Sequence, residues 1–129
     1  LYNWYTVETA KLAPVGWHIP TEDEWETLSQ YLGGENLAGG KLKETGTQFW
    51  LSPNEGATNE SGFTALPGGN RELNGTFNYV GYNGGWWAST QGSIIDNANY
   101  RHLRNDEASF GNGNSCNKLI GLSVRCLKD

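Results

Sequence analysis

The chain reads as a single α+β domain spanning residues 1–129, with helices confined to its first third and short strands in its second half. Three observations predict this. A capping box opens an amphipathic helix at Thr21, and period-two alternation cut by Asn-Gly and Gly-Asn turns runs from Thr76 to the C-terminus. The third is composition: 36% hydrophobic and 18% charged residues, beside 18 glycines, fall on the loop-rich side of the usual values of roughly 45% and 25%. A length of 129 residues suits one core, and six tryptophans and six tyrosines can fill it at about 150 to 250 Å² each, which argues against disorder.

Taken in order, Leu1 to Lys11 (LYNWYTVETAK) carries Trp4, Tyr5 and Val7 about one turn apart, as in a short helix that opens without a cap. Pro14, Gly16 and Pro20 then punctuate an extended piece, Gly16 to Pro20, held by Trp17 and Ile19. Thr21-Glu22-Asp23-Glu24 is the capping box, with three acids at the positive helix end. Trp25, Leu28 and Leu32 form one apolar stripe, and Gly33-Gly34 supplies the stop, so this helix runs from Thr21 to Leu32. Glu35 to Glu44 makes a weaker helix with Leu37 and Leu42 inward, at a cost of about 1 kcal/mol for each of Gly39 and Gly40.

Residues 45–71 are turn chemistry with Phe49, Trp50, Phe63 and Leu66 as anchors. Strands follow at Thr76 to Tyr82, Gly85 to Thr90, Asn99 to Asn105, Ala108 to Phe110 and Gly121 to Lys128. In the last of these Leu122, Val124 and Cys126 alternate with Ser123, Arg125 and Leu127.

A net charge of −5, a pI near 4.9 and no Lys/Arg cluster remove the electrostatic footprint of a nucleic-acid binder. No window approaches the roughly 18 apolar residues of a membrane-inserted helix. With no starting Met and no signal peptide, the sequence reads as a mature or excised piece. Cys116 and Cys126, ten apart, allow either a local bridge or two unpaired thiols. With only His18 and His102 beside them at unsuitable spacing, a zinc site is not indicated.

The segments LYNWYTV, LAPVGWHIPTEDEW, YLGGENLAGGKLKETGT, GATNESGFTALPGGNR, GGWWAST and GLSVRCLKD occur in this order. Together they resemble the Fibrobacter succinogenes major paralogous domain, a family of secreted bacterial domains, over most of residues 1–90 and 119–129. That family is similar to the formylglycine-generating enzyme and to C-type lectin-like folds. The resemblance therefore implies two helices beside a small, irregular antiparallel sheet with long loops, on the outside of a bacterial cell. Members usually begin earlier, with strands containing a VWMAENL-like segment. Its lack here implies a sheet edge left open or filled by a partner chain. Many members also carry a cysteine where this chain has Ala13, which leaves Cys126 without that partner.

Residues 91–118 hold six of the fourteen asparagines and drift from the family between two well-kept segments. That layout resembles variable proteins diversified by retroelements on a C-type lectin-like scaffold, in which variable residues share one exposed face. Ile94, Ile95, Asn97, Asn99, Tyr100, His102, Arg104, Asn105, Phe110, Asn112 and Asn114 are the candidate ligand-binding residues, weighed against ordinary solvated hairpins. Alternation puts Tyr100, His102 and Arg104 on one strand face and Arg101 and Leu103 on the other. Trp86 and Trp87 face opposite sides; either both are core, or Trp87 is a stacking platform.

His18 is expected to be structural. His102, near Asp106 and Glu107, has no nucleophile to serve. Asn54, Glu55, Asn59 and Glu60 offer oxygen ligands for Ca²⁺ without any EF-hand order, so a plain loop is preferred there and no cofactor is expected. The glycosylation sequons at Asn59 and Asn74 carry no weight in a bacterial domain.

These readings favour a non-catalytic extracellular recognition domain that binds a protein or glycan, with no nucleic acid and no direct membrane insertion. The alternatives are a structural surface or pilus-like assembly module and, less favoured, a formylglycine-generating type of oxidase using Cys116 and Cys126 as a copper pair.

Overall fold

A computed structural model describes residues 1–129. The chain forms α1 (Trp4–Glu8), β1 (Trp17–His18), α2 (Glu22–Tyr31) and α3 (Glu35–Leu42). The later strands are β2 (Asn70–Arg71), β3 (Phe77–Asn78), β4 (Asn83–Gln91), β5 (Asn97–Arg104), β6 (Gly111–Asn112), β7 (Cys116–Asn117) and β8 (Leu127–Lys128), joined by turns and loops. The central sheet is antiparallel, ordered β4-β5-β6, with β7 also on β5. β1 pairs β8, and β2 pairs β3, as two small antiparallel ribbons.

The capping box at α2 is present. Thr21 Oγ1 accepts from the Glu24 N–H at 3.3 Å, and Glu24 Oε2 accepts from the Thr21 N–H at 2.8 Å. Trp25 and Leu32 are buried and Leu28 packs beside them, while Gly33 and Gly34, both at positive φ, end the helix. α1 is shorter than its sequence segment and is capped after all. It starts at Trp4, and Asn3 accepts from the Thr6 N–H at 3.1 Å.

α3 departs from expectation in which face it buries. Leu42 is inside, but Leu37 is exposed, because the contact surface is the small-residue run Ala38-Gly39-Gly40. A Cβ on Gly39 would land on the Ser109 carbonyl, and one on Gly40 on the Gly56 carbonyl. The glycines that weaken the helix in isolation let two loops lie against it. They bring the Gly40 N–H to Ala108 O (2.9 Å) and the Thr58 N–H to Gly40 O (2.8 Å).

At the end of α3, Lys43 is fully buried. Its ammonium donates to three backbone carbonyls: Glu55 O at 2.8 Å, Arg104 O at 3.0 Å and Glu107 O at 2.8 Å. All three of its protons are thereby used. Burial pushes its pKa down to about 8, which still leaves the group charged at neutral pH.

Trp86 and Trp87 point to opposite faces of β4, and both are core. Trp86 joins Trp25, Leu32, Leu42, Trp50, Leu103 and Phe110 beneath α2 and α3. Trp87 joins Trp4, Val7, Ile19, Ala98 and Leu122 on the α1 face. Across the α2 side, the buried Arg101 pairs with Glu22 and with Glu26 Oε2 at 2.8 Å. Its guanidinium also lies over Phe110, 5.6 Å from the ring centre.

Several expected details differ. Trp17 is exposed, as are Phe49 and Leu66, while Trp50 is buried and Phe63 half-buried against Trp25 and Trp86. The strand expected over Thr76 to Tyr82 is only Phe77–Asn78, because Tyr79 adopts φ 62° and its carbonyl closes a turn onto the Tyr82 and Asn83 N–H groups. Ala108 to Phe110 is spent on α3, so the ladder starts at Gly111. In the final segment Leu122, Val124 and Cys126 do point into the second core, but regular pairing is limited to Leu127–Lys128. Gly121, Leu122 and Ser123 make single bridges to Arg71, Tyr2 and Trp86. The outer edge of β4 is thus lined from within the chain by Gly69 and Ser123, with the Ser89 N–H donating to Pro20 O.

His18 joins the two ends of the fold. Nδ1 meets Asp129 Oδ1 at 2.6 Å and Nε2 meets Glu24 Oε1 at 2.9 Å. These two carboxylate contacts raise its pKa above 6.5. A raised folded-state pKa contributes stability that is fully present below 6.5 and is lost as pH rises through the raised value. The thermal midpoint of the parent relative to His18→Gln should therefore show its largest advantage just below pH 6.5 and lose it as pH rises through the raised value; a pH-independent difference would show that the contacts carry no linked charge. At the buried Lys43 contact, Lys43→Met strands three carbonyls at a cost of about 1 to 3 kcal/mol each. Urea denaturation should show a fall in unfolding free energy of that order, and an unchanged midpoint would mean that the carbonyls reach water instead.

Candidate functional site

On β5 the side chains alternate as the sequence indicates. Arg101 and Leu103 are buried on the α2 side, and Tyr100, His102 and Arg104 lie on the opposite face. These three line one cleft of about 330 Å³, together with Gly69, Asn70, Tyr79, Asn83, Gly84, Gly85, Cys116, Ile120 and Leu122.

Cross-strand glycines shape its floor. His102 is paired with Gly111, and its ring fills the space a Cβ there would take; the Tyr100 ring does the same over Gly113. The two rings sit side by side, with centroids 5.9 Å apart and planes at 35°, and Trp87 supports Tyr100 edge-on at 6.3 Å. The result is a ledge of two rings resting on bare backbone.

The electrostatics of the cleft are close to neutral. Arg104 holds Asp106 through two hydrogen bonds, Nε to Oδ1 at 3.0 Å and Nη2 to Oδ2 at 2.9 Å, with Glu107 at 3.7 Å. Burial lowers the pKa of His102, so it is neutral at physiological pH, and burial raises that of Tyr100. Burial also pushes the Cys116 thiol up to about 12, which keeps it protonated and a poor nucleophile or metal ligand. Cys116 and Cys126 are both free thiols in this structure. Two polar atoms of the cleft residues, Asn70 Oδ1 and His102 Nδ1, are buried without a hydrogen-bond partner.

The remaining candidates do not line this cleft. Asn99, Asn112 and Asn114 line a second hollow of about 280 Å³ with Gln91, Ser93 and Ser115, on the other side of β5. Ile94 and Ile95 are exposed on the β4–β5 turn, and Asn97 is half-buried opposite Asn117. Three candidates are corrected outright. Trp87 is fully buried, with its Nε1 donating to Tyr2 O at 2.8 Å. Phe110 is packed edge-on against Trp25 at 5.6 Å. Asn105 is buried, donating to Leu51 O at 3.2 Å and Ser52 O at 2.9 Å. Their polarity or aromaticity serves the frame.

In the 54–60 loop the contacts are mostly internal, with Asn54 Oδ1 left without a partner. Asn54 Nδ2 donates to Glu44 O and Gly46 O, Asn59 binds Thr64, Glu60 faces Lys41 at 3.6 Å, and the Glu55 carbonyl accepts from Lys43.

Sequence reasoning missed Asn70, Tyr79 and Asn83. The signal available was the pairing of Asn with Gly-Gly in LPGGNR and YNGG. Those glycines allow close approach: a Cβ on Gly84 would collide with the Trp86 ring and with Leu66 O, and one on Gly69 with Asn78 O.

The frame and cleft are those of a small α+β domain with one neutral cleft over its central sheet. A family model, the Fibrobacter succinogenes major domain, matches residues 1–128, and the chain belongs to that family. The match includes the 91–118 segment. No curated protein and no solved structure matches the chain.

The division between frame and surface gives a direct comparison. Phe110→Ala should lower unfolding free energy by about 3 to 5 kcal/mol, whereas Ile95→Ala, at an exposed position, should stay within about 0.5 kcal/mol of the parent. Equal effects in urea denaturation would place Phe110 outside the core.

Proposed function

We propose that the domain is a non-catalytic recognition module that binds a protein or glycan ligand in the Tyr100–His102–Arg104 cleft, on the outside of a bacterial cell. The observation that carries this reading is the single cleft of about 330 Å³ in which the two-ring ledge of Tyr100 and His102 lies beside the exposed Arg104, whose charge Asp106 already meets.

A C-type lectin-like frame, with diversification concentrated in residues 91–118, belongs to the same reading. Exposed side chains at Ile94, Ile95, Arg104, Asn112 and Asn114 support it, since exchange there disturbs no packing. The protonated Cys116 thiol supports recognition over a copper-dependent oxidase.

A second reading, a structural assembly module, is favoured by the exposed Phe49, Leu51, Tyr79, Val80 and Tyr82 around the Gly81 turn. Such a patch suits a partner chain.

The deciding measurement is binding of the purified domain to immobilised glycans and surface proteins, with and without EDTA, beside a Tyr100→Ala/Arg104→Ala variant of verified fold. Ligand binding that is lost in the variant and unaffected by EDTA is the expected result. Binding retained by the variant would overturn the cleft, and concentration-dependent self-association in its place would favour the assembly module.

A further inference from the structure

We infer that two copies of this chain pair through the face around the Gly81 turn, each presenting the same six side chains, Phe49, Leu51, Leu66, Tyr79, Val80 and Tyr82. The pairing goes beyond the recognition reading and does not depend on what the cleft binds.

Three segments meet through their backbones to form this face. The Leu51 N–H donates to Gly81 O at 2.8 Å, and the Gly81 N–H donates to Pro67 O, next to Leu66, at 3.0 Å. A Cβ on Gly81 would stand 3.1 Å from Leu51 Cγ, so the turn lies directly on that side chain. Asn105 ties the other flank: its N–H donates to Tyr82 O at 2.9 Å, and its Nδ2 donates to Leu51 O and Ser52 O. The six side chains are 43% to 66% exposed on a backbone held from both sides.

Charge selects the partner. Residues 45–54, 61–70 and 73–91 contain no Asp, Glu, Lys or Arg, in a chain with nine basic and fourteen acidic residues and a net charge of −5. That net charge sets copies against one another, and this face is where two of them meet without opposing like charges. Arg104 and Asp106, on either side of Asn105, already neutralise each other. A charged partner would find no counter-charge on the face. A partner that inserts a side chain would find neither of the two main hollows beneath Phe49, Leu51, Leu66, Val80 or Tyr82. An identical face supplies apolar surface against apolar surface and nothing to repel it.

The area is sufficient. Three aromatic side chains of roughly 150 to 250 Å² each and three smaller aliphatic ones, all about half exposed, offer roughly 600 Å². Two copies then cover roughly 1,200 Å², above the roughly 1,000 Å² that a specific interface needs. Because both copies use the same face, the contact closes at two chains, unlike the open array of an assembly module. Tyr79 belongs both to this face and to the cleft wall, so pairing sets two clefts beside one interface. A ligand with repeated epitopes would then gain avidity.

The test is sedimentation velocity of the whole domain from roughly 1 µM to 1 mM. Val80→Glu and Leu51→Glu are run beside the parent, with Ile95→Glu as a control at an exposed apolar residue outside the face. The parent should pass from the mass of one chain to that of two and no further. Val80→Glu and Leu51→Glu should each raise the dissociation constant by about tenfold or more, and Ile95→Glu should leave it unchanged. Added salt should preserve or strengthen the pair, because it screens the net charge of −5. Amide shifts on dilution of the unsubstituted domain, at residues 49–51 and 79–82, give the same answer if a variant does not fold. A parent that stays monomeric across the range, a pair that survives both substitutions, or growth beyond two chains would each overturn the proposal. Tyr100→Ala should still pair, so a failure of recognition and a failure of pairing are read separately.

Discussion

Three backbone carbonyls, one from the long irregular segment and two from the end of β5 and the turn after it, meet at one ammonium group, that of Lys43, and that contact ties the irregular segment to the central sheet. Glu55 belongs to the long irregular segment, Arg104 ends β5 and Glu107 starts the turn to β6. The irregular segment around Glu55 and the turn at Glu107 have little regular structure to fix their own paths. The ammonium lets them converge at a single point, and the neighbouring Gly39 and Gly40 remove the side chains that would hold them apart. A buried charge is costly to desolvate, and here every proton has an acceptor, which is the condition under which such a group is tolerated.

The cleft inherits its geometry from the same region. Because β5 is held at its end by Lys43 and along its α2 side by Arg101 with Glu22 and Glu26, its other face is a rigid mount for Tyr100, His102 and Arg104. Trp87 backs the ledge from the second core. The two adjacent tryptophans therefore divide the labour of the sheet: Trp86 binds it to the helices, and Trp87 supports the side that faces solvent. Residues that look similar in sequence, such as Asn99 and Asn70, end on opposite sides of β5 with different partners.

Local chemistry was the most legible part of the sequence. The capping box of α2, its Trp25/Leu32 stripe and the alternation that groups Tyr100, His102 and Arg104 all depend on neighbours within a turn or two, and all are present. What could not be read depends on distant chain. Gly39 and Gly40 look like helix defects until Ser109 and Gly56 are seen beside them. Phe110 and Asn105 look like surface in a polar segment, but their partners, Trp25, Leu51 and Ser52, are more than fifty residues away. Asn70 sits in what reads as a turn, and only the pairing of Gly69 with Gly84 brings it to the cleft wall. Lys43, in an ordinary stretch of alternating charge, gave no sign of its burial.

The pairing of Tyr100 with Gly113 and of His102 with Gly111 also bears on how such a domain can diverge. Each ring occupies the volume in which its partner's Cβ would stand. Exchange at 100 or 102 for another flat or slender side chain leaves the partner glycine acceptable, so the ledge can be re-faced one position at a time. Exchange at 111 or 113 cannot precede it, because any side chain there collides with a ring already in place. Across relatives the two glycines should thus persist wherever rings are kept opposite them, and larger residues should enter at 111 and 113 only in chains that have already lost the ring. The order of change along a lineage is written into the packing of one strand pair.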